Sequence, residues 1–298
     1  MSEFHSTVFR WYRRHGRSLP WRGEERPYRI LVSEVMLQQT QVSRVLEKYP
    51  AFLKRFPTLQ SLARARRSDV IRAWQGMGYN NRAVRLHRLA QMLVDSSGGR
   101  VPRSEKELVR LPGIGPYTAR AILSSAFDLP VPVVDVNIQR FFSRLCLPMR
   151  TLTDMRSLHT AGTYAQRFFP ARRGYDWNQA LMDLGATVCT ARAPRCSVCP
   201  VAARCRSRTV MRHVAVVQKK QEPSLYGVPD RIYRGRIIEV LRGLGHRRTV
   251  ALSVLGTTIL SRFSHRNIAW LTRLLHQLEQ DGLVRLHTSS TVIRASLA

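Results

Sequence analysis

Four of the five cysteines lie within seventeen residues, close enough for their thiols to bind metal together. Cys189, Cys196, Cys199 and Cys205 have the spacing C-x6-C-x2-C-x5-C. Such a set can coordinate a zinc ion or a [4Fe–4S] cluster. A structural zinc site more often pairs two C-x2-C knuckles, and this segment has only one. The fifth, Cys146, lies in an apolar run and is expected to behave as a small buried hydrophobic residue.

Two carboxylates have surroundings that could support catalysis. Glu34 lies in a helical run of apolar residues, which would raise its pKa and let it act as a general acid near neutral pH. Asp135 follows the apolar run Pro132–Val134 and could cap a helix or stabilise positive charge that develops on a substrate. Both residues are therefore candidates for catalysis.

A glycine-containing turn, Leu111–Gly115, separates two predicted helices. Pro116 is a favoured first residue for the helix that follows. The backbone N–H groups of such a turn lie beside a helix N-terminus, where they can bind a phosphate, and glycine lets a DNA backbone come close. The turn is therefore a candidate phosphate-binding site.

Taken together, the cysteine spacing, the turn and the run Val32–Thr40 (VSEVMLQQT) resemble the helix-hairpin-helix DNA glycosylases, and most closely the MutY-type adenine glycosylases. The resemblance covers about residues 8–206. It implies a mainly α fold with a six-helix barrel lobe and an iron–sulfur lobe, in which the four clustered cysteines hold a [4Fe–4S] cluster.

The resemblance also implies the chemistry. Glu34 would protonate the departing base, Asp135 would stabilise the positively charged sugar, and Asn137 would orient water or sugar beside it. Bifunctional members carry a lysine where this sequence has Tyr117, so hydrolysis without a lyase step is expected.

The same resemblance assigns the binding residues. Those expected to contact the flipped base or fill the gap in the base stack are Trp21, Arg22, Leu37, Gln39, Tyr79 and Gln179. Those expected to contact DNA are Arg82, Gly113, Gly115 and Thr118. The family usually has a second aromatic residue after the tyrosine, and this sequence has Asn80 instead.

Hydrophobic periodicity predicts the elements that position these residues. Helices are expected between Pro27 and Pro50, and further along the chain near 59–75, 81–95, 104–110 and 116–127. A capping box is expected from Ser104 to Glu107. The predicted organisation is a glycosylase domain at 1–206 with its cluster at 189–205, a basic linker at 207–230 and a winged-helix-like α+β module at 231–298.

The C-terminal module does not resemble the Nudix-type domain that typical MutY-type enzymes use to recognise 8-oxoguanine. The identity of the opposite base is therefore left open. The module could add affinity for the DNA backbone through arginines. The candidates are Arg234, Arg236, Arg247, Arg248 and Arg266.

Charge and composition limit the classes of partner that this protein can have. The chain carries 49 Lys and Arg against 19 Asp and Glu, a formal net charge of +30, which favours a polyanionic partner. With no run of ~20 apolar residues, a membrane span is not expected. We predict a monomeric cytoplasmic enzyme of the bacterial nucleoid that binds double-stranded DNA and excises a mispaired adenine. The rivals are a mismatch thymine or uracil glycosylase of the same fold and an iron–sulfur DNA-binding regulator.

Overall fold

The computed structural model describes residues 2–147, 155–209, 222–245, 248–289 and 292–298. The chain forms two compact units. Unit 1 comprises Met1–Ile30, Arg103–Val109 and Ile114–Lys219. Unit 2 comprises Leu31–Pro102, Arg110–Gly113 and Lys220–Ala298.

The first two thirds of the described chain is helical. In chain order the helices are α1 (Glu3–His15), α2 (Pro27–Leu37), α3 (Val42–Arg55), α4 (Leu59–Arg64), α5 (Arg67–Ala73), α6 (Asn81–Ser97), α7 (Glu105–Leu108), α8 (Pro116–Phe127), α9 (Val136–Cys146), α10 (Met155–Arg167) and α11 (Gly174–Asp183). A π-helical turn, Leu184–Val188, extends α11 toward the cysteine segment.

Unit 1 is built around the buried indole of Trp177 in α11. Phe4 and Phe9 of α1 make edge-to-face contacts with it, at ring-centroid distances of 5.8 and 5.7 Å. Phe141 and Phe142 of α9 belong to the same core, against which the cysteine segment also packs. This core fixes the start of α9, where Asp135 lies, relative to the cysteines.

Unit 2 ends in a module with the winged-helix order of elements. After a short hairpin of β1 (Ser224–Leu225) and β2 (Val228–Pro229), the elements are α12 (Asp230–Gly243), β3 (Val250–Ala251), α13 (Leu252–Ile259), α14 (Ile268–Gln280), β4 (Val284–Thr288) and β5 (Ile293–Leu297). The three-stranded antiparallel sheet has the order β3-β5-β4. Ile71 of α5 and Val84 of α6 join the apolar core of this module.

The predicted mainly α fold with a winged-helix-like end is confirmed, and local details differ. Pro50 lies inside α3 rather than ending a helix, and the break comes at 38–41 instead. Ser104 occupies the N-cap of α7 but makes no side-chain cap hydrogen bond. The stretch 248–262, which the sequence pattern does not assign to helix or strand, contains both β3 and α13. Part of the predicted linker, 210–221, lies outside the described residues.

Among the described residues, no helix combines the length and the apolar content that crossing a membrane requires.

Candidate functional site

The four clustered cysteines line one cavity of unit 1. Phe141, Leu145 and Val201 supply apolar wall to it. The Cys199 thiol is close enough to the other three for them to affect its ionisation. Burial raises the pKa of Cys199 to about 11, and the charges of the other three cysteines add to the rise.

The four thiols fit an iron–sulfur cluster, which is held by four cysteine thiolates. Among the described residues, no three His, Cys, Asp or Glu side chains converge tightly enough to hold one metal ion. Four thiols around a shared apolar cavity instead suit a larger group. Arg144 is buried beside them and donates to the Cys189 sulfur at 3.4 Å and to the Thr190 carbonyl at 2.7 Å.

Asp135 lies at the N-cap of α9 with both carboxylate oxygens engaged. One accepts from the Ile138 backbone N–H at 2.7 Å and the other from the Asn137 amide at 2.6 Å. The expected cap is therefore present, and Asp135 and Asn137 form one fixed pair. No lysine or arginine in the described structure makes a salt bridge to Asp135, so its charge is not neutralised by an ion pair.

Arg140 connects this pair to the cysteine segment, a role that was not predicted from the sequence. Its guanidinium donates to the Asn137 side-chain oxygen at 2.8 Å, to the Gly185 carbonyl at 2.7 Å and to the Cys189 carbonyl at 2.8 Å. Burial lowers the pKa of Arg140, and the charges of Cys189 and Asp135 partly oppose that effect. One turn along α9 from Asn137, an arginine is an ordinary helix residue, so only tertiary structure shows its role.

The expected base-pocket residues Arg22 and Gln179 are in contact in unit 1. Arg22 Nε donates to the Gln179 side-chain oxygen at 2.8 Å, which orients the amide. The same guanidinium is held by the fully buried carboxylate of Asp183 through two 2.7 Å hydrogen bonds. Trp21, next to Arg22, is buried. The role of Asp183 was missed because the sequence indicated only its place before Cys189.

The charge of Asp183 is stabilised by its partners. Burial alone would raise its pKa, but hydrogen bonds from Arg22 and Arg17 outweigh burial and leave the pKa below the usual value. Asp183 is therefore ionised when it holds Arg22.

The backbone of the predicted hairpin turn has a conformation that favours glycine, and a helix begins directly after it. Gly113 has φ +82°, a left-handed conformation that favours glycine. Gly115 caps α8, and Pro116 takes its first position. Tyr117 is partly exposed, whereas Thr118 is buried.

The two residues expected to enter the base stack, Gln39 and Tyr79, lie on two loops of unit 2. Both have left-handed backbone conformations, with φ of 54° and 42°. Such conformations cost of order 1–3 kcal/mol and persist only where surrounding contacts hold them. Tyr79 is 54% exposed. Glu34 and Leu37 precede Gln39 on α2, and both are half-buried.

The side chain of Arg82 is bonded to both loops inside the protein, whereas the resemblance implied a contact between Arg82 and DNA. It is buried, and its guanidinium donates to backbone carbonyls of both loops and to the Thr40 hydroxyl at 2.8 Å. The carbonyl acceptors are those of Val35, Met36, Gln38, Met77, Gly78 and Tyr79. Burial lowers the pKa of Arg82 to about 10, so it remains charged near neutral pH. Its donors are used inside the protein, so the side chain braces the loops.

The C-terminal module contacts the Tyr79 turn through Asn80. Arg242 of α12 is buried and donates to the Asn80 side-chain oxygen at 2.7 Å and to the Ile71 carbonyl at 3.1 Å. A cavity of about 590 Å³ beside Tyr79 and Gln39 is lined on its other side by α12, including Arg231. The position where this sequence departs from the family pattern is thus the one that the module holds.

The arginines expected to contact DNA from the module differ in availability. Arg234 pairs with Asp281, and Arg236 donates to the Ile259 carbonyl. Arg248 and Arg266 are exposed. Arg247 lies outside the described residues.

Two family models match the chain. The model of the HhH-GPD superfamily base excision DNA repair proteins matches residues 32–163, and that of the iron–sulfur binding domain of endonuclease III matches residues 189–205. The segment with the four cysteines is therefore an iron–sulfur segment, and a [4Fe–4S] cluster is its cofactor.

Curated relatives show which family within this superfamily the chain belongs to. The chain is 38% identical over 291 residues to an adenine DNA glycosylase of Mycolicibacterium smegmatis, covering 92% of this chain and 90% of that protein. It is 40% identical over 239 residues to the adenine DNA glycosylase of Mus musculus, but spans only 45% of that longer protein. The chain belongs to the adenine DNA glycosylase family of the HhH-GPD superfamily.

Solved structures agree on the fold. A thermostable thymine-DNA glycosylase superposes with a TM-score of 0.62 at 28% identity, covering 69% of this chain and 95% of that one. A non-covalent endonuclease III–DNA complex has a TM-score of 0.59 at 23% identity, covering 70% and 95%.

Proposed function

We propose that this protein is a monofunctional DNA glycosylase that hydrolyses the N-glycosidic bond of an adenine mispaired with guanine or 8-oxoguanine. The observation that carries the proposal is the fixed Asp135 carboxylate, which is held by Asn137 and a helix N-terminus and has no cationic partner among the described salt bridges. The relatives named adenine DNA glycosylase supply the identity of the base.

In the proposed reaction, Glu34 gives a proton to the adenine as the bond between the base and C1′ breaks. The electron pair of that bond leaves with the base, and positive charge develops on the deoxyribose. Asp135 stabilises this charge, and Asn137 orients the water or the sugar. Water adds to C1′ and loses a proton, which leaves an abasic site.

The pocket residues would select the base. Arg22, clamped by Asp183, fixes the oxygen of the Gln179 amide, so its NH₂ end remains to donate to a ring nitrogen of adenine. Trp21 and Leu37 would add apolar wall. Tyr79 and Gln39 would fill the gap that the flipped nucleotide leaves, with their loops held by Arg82.

Two features limit the reaction to hydrolysis and position the DNA. Tyr117 stands where bifunctional members carry a lysine, so no amine is available there to form a Schiff base. The hairpin glycines, Gly113 and Gly115, would admit a DNA phosphate to their backbone N–H groups.

The cluster would be held by Cys189, Cys196, Cys199 and Cys205. When bound, it cross-links the end of unit 1 through four thiolate bonds. The protein would act as a monomer on nucleoid DNA in the cytoplasm.

A second candidate is removal of mismatched thymine, favoured by the structural likeness to a thymine-DNA glycosylase at 28% identity. Single-turnover base release distinguishes the two, with A:8-oxoG, A:G, T:G and U:G duplexes and alkali to reveal abasic sites. We expect release from A:G or A:8-oxoG, with strand breaks only after alkali. Release of thymine or uracil alone would contradict adenine removal and support the second candidate. Release from no duplex would favour an iron–sulfur DNA-binding regulator.

The catalytic assignment is tested with Glu34→Gln. Loss of a general acid typically costs about 10²–10⁴-fold in rate, so base release should fall by that factor while DNA binding stays near the wild-type value. Glu47→Gln is the matched control, because Glu47 lies on α3 with its side chain 68% exposed. Equal rates for Glu34→Gln and wild type would contradict the role of Glu34.

A further inference from the structure

A second, strongly basic cavity lies in unit 2, between α5 and the sheet of the C-terminal module. Its volume is about 370 Å³. The arginines that line it are Arg66, Arg72, Arg248 and Arg285, and His287 also lies in the lining. We call this cavity the arginine pocket.

Strand register explains why the module presents basic side chains to this cavity. In the β4–β5 ladder, Arg285 pairs with Ser296, and both line the pocket. Successive residues of a strand point to opposite faces, so Leu286 and its partner Ala295 face the apolar core instead. The outer face of the sheet is polar by the same alternation that buries its inner face.

The arginine pocket gathers four guanidinium groups, and the one carboxylate in its described lining is the terminal carboxylate of Ala298. No Asp or Glu is among the described residues that line it. Asp69, which follows the lining residue Ser68, is paired with Arg55 at 2.8 Å. Like charges gathered around one cavity destabilise the fold, and an anion that enters would offset the positive charge that the Ala298 carboxylate leaves uncompensated.

Arg72 supplies an independent sign of a missing partner. One of its terminal nitrogens donates to the Leu244 carbonyl. The other, Nη1, is buried and has no hydrogen-bond partner in the described structure. A buried unpaired donor costs about 1–3 kcal/mol, and because Nη1 is closed off from solvent, a ligand oxygen would remove that cost only if the Arg72 side chain turned toward the cavity.

We propose that the arginine pocket binds phosphate groups. Guanidinium groups bind phosphate oxygens through paired hydrogen bonds, and the hydroxyl of Ser68 can add a neutral donor, whereas that of Ser296 is hydrogen-bonded to His287. The phosphates come either from the backbone of bound duplex DNA or from a free ligand with adjacent phosphates, and a concave volume of this size admits both. The site does not depend on base release.

The test uses full-length protein with its cluster and the double variant Arg248→Ser/Arg285→Ser. Both arginines are exposed, so the fold tolerates their loss. The matched control is Arg88→Ser/Arg262→Ser, which removes the same charge at exposed positions outside the pocket. Calorimetry with inorganic pyrophosphate tests a free ligand, and the salt dependence of undamaged-duplex binding tests DNA.

If free phosphates occupy the pocket, wild type and control bind pyrophosphate at one site, and the double variant binds at least tenfold more weakly. If DNA phosphates occupy it, the slope of log Kobs against log salt decreases by about 0.9 for each lost phosphate contact in the double variant and stays unchanged in the control. Absence of both effects, or equal effects in control and double variant, would overturn the proposal.

Discussion

The contact between Arg242 and Asn80 gives a quantitative prediction about the C-terminal module. Breaking it should loosen the Tyr79 turn, because Tyr79 keeps its φ of 42° only while neighbouring contacts hold it. A buried hydrogen bond to a charged group contributes about 1.5–3 kcal/mol, which is as large as the cost of the left-handed conformation. The bond can therefore decide whether the turn stays formed.

A double-mutant cycle measures this contact. Arg242→Met removes the bonds to Asn80, to the Ile71 carbonyl and to Glu239, whereas Asn80→Ala removes only the first. We expect about 3 kcal/mol loss of unfolding free energy for Arg242→Met and about 1.5–2 kcal/mol of coupling between the two changes. Burial lowers the pKa of Arg242, and the charge of Glu239 and its hydrogen bond partly oppose that effect.

The functional assay is single-turnover base release, with a fluorescent base analogue beside the mispair to report base flipping. A turn that is correctly folded in only a tenth of the molecules would lower the rate of release about tenfold. Arg236→Met is the matched control, since Arg236 also lies on α12 but bonds only within the module to Ile259. A coupling energy below about 0.5 kcal/mol, or equal loss of flipping in the control, would refute the reasoning.

Two further predictions concern unit 1. A Cβ added at Gly185 would lie 2.6 Å from Asn137 Cβ and 3.2 Å from the Asn137 backbone, so Gly185→Ala should displace Asn137 and slow base release at least tenfold. Gly162→Ala is the control, because nothing lies within 4 Å of a Cβ added there, and it should leave the rate unchanged. Equal rates of base release for the two variants would contradict this prediction. Asp183→Asn should lower the unfolding free energy at pH 7 by about 3–5 kcal/mol, since it breaks a buried pair with Arg22. The folded pKa of Asp183 is lowered, so its contribution is complete above the unfolded pKa of about 4 and is lost as the pH falls through the folded value. Denaturation from pH 7 to 2 should show the gap between wild type and variant closing only below about pH 4, and a constant gap would argue against the charge.

Local patterns alone were enough to predict much of this protein. The cysteine spacing, the hairpin glycines and the run around Glu34 are contiguous motifs, and their chemistry depends on residue type and spacing. The helices and strands of the C-terminal module could be predicted from the repeat of apolar residues, because that repeat is 3.6 residues in a helix and 2 residues in a strand. The winged-helix order of elements could therefore be predicted before its packing was known.

Only tertiary structure determined which side chains support those motifs. Arg82, Arg140, Asp183 and Arg242 each bond to groups far along the chain, and in the sequence each is one charged residue among many. Arg82 was expected to contact DNA, but the two loops around it leave unpaired carbonyls, and burying a guanidinium satisfies several of them at once. The arginine pocket likewise unites residues from α5 and β4, because folding brings their outer faces together across more than 200 residues of sequence.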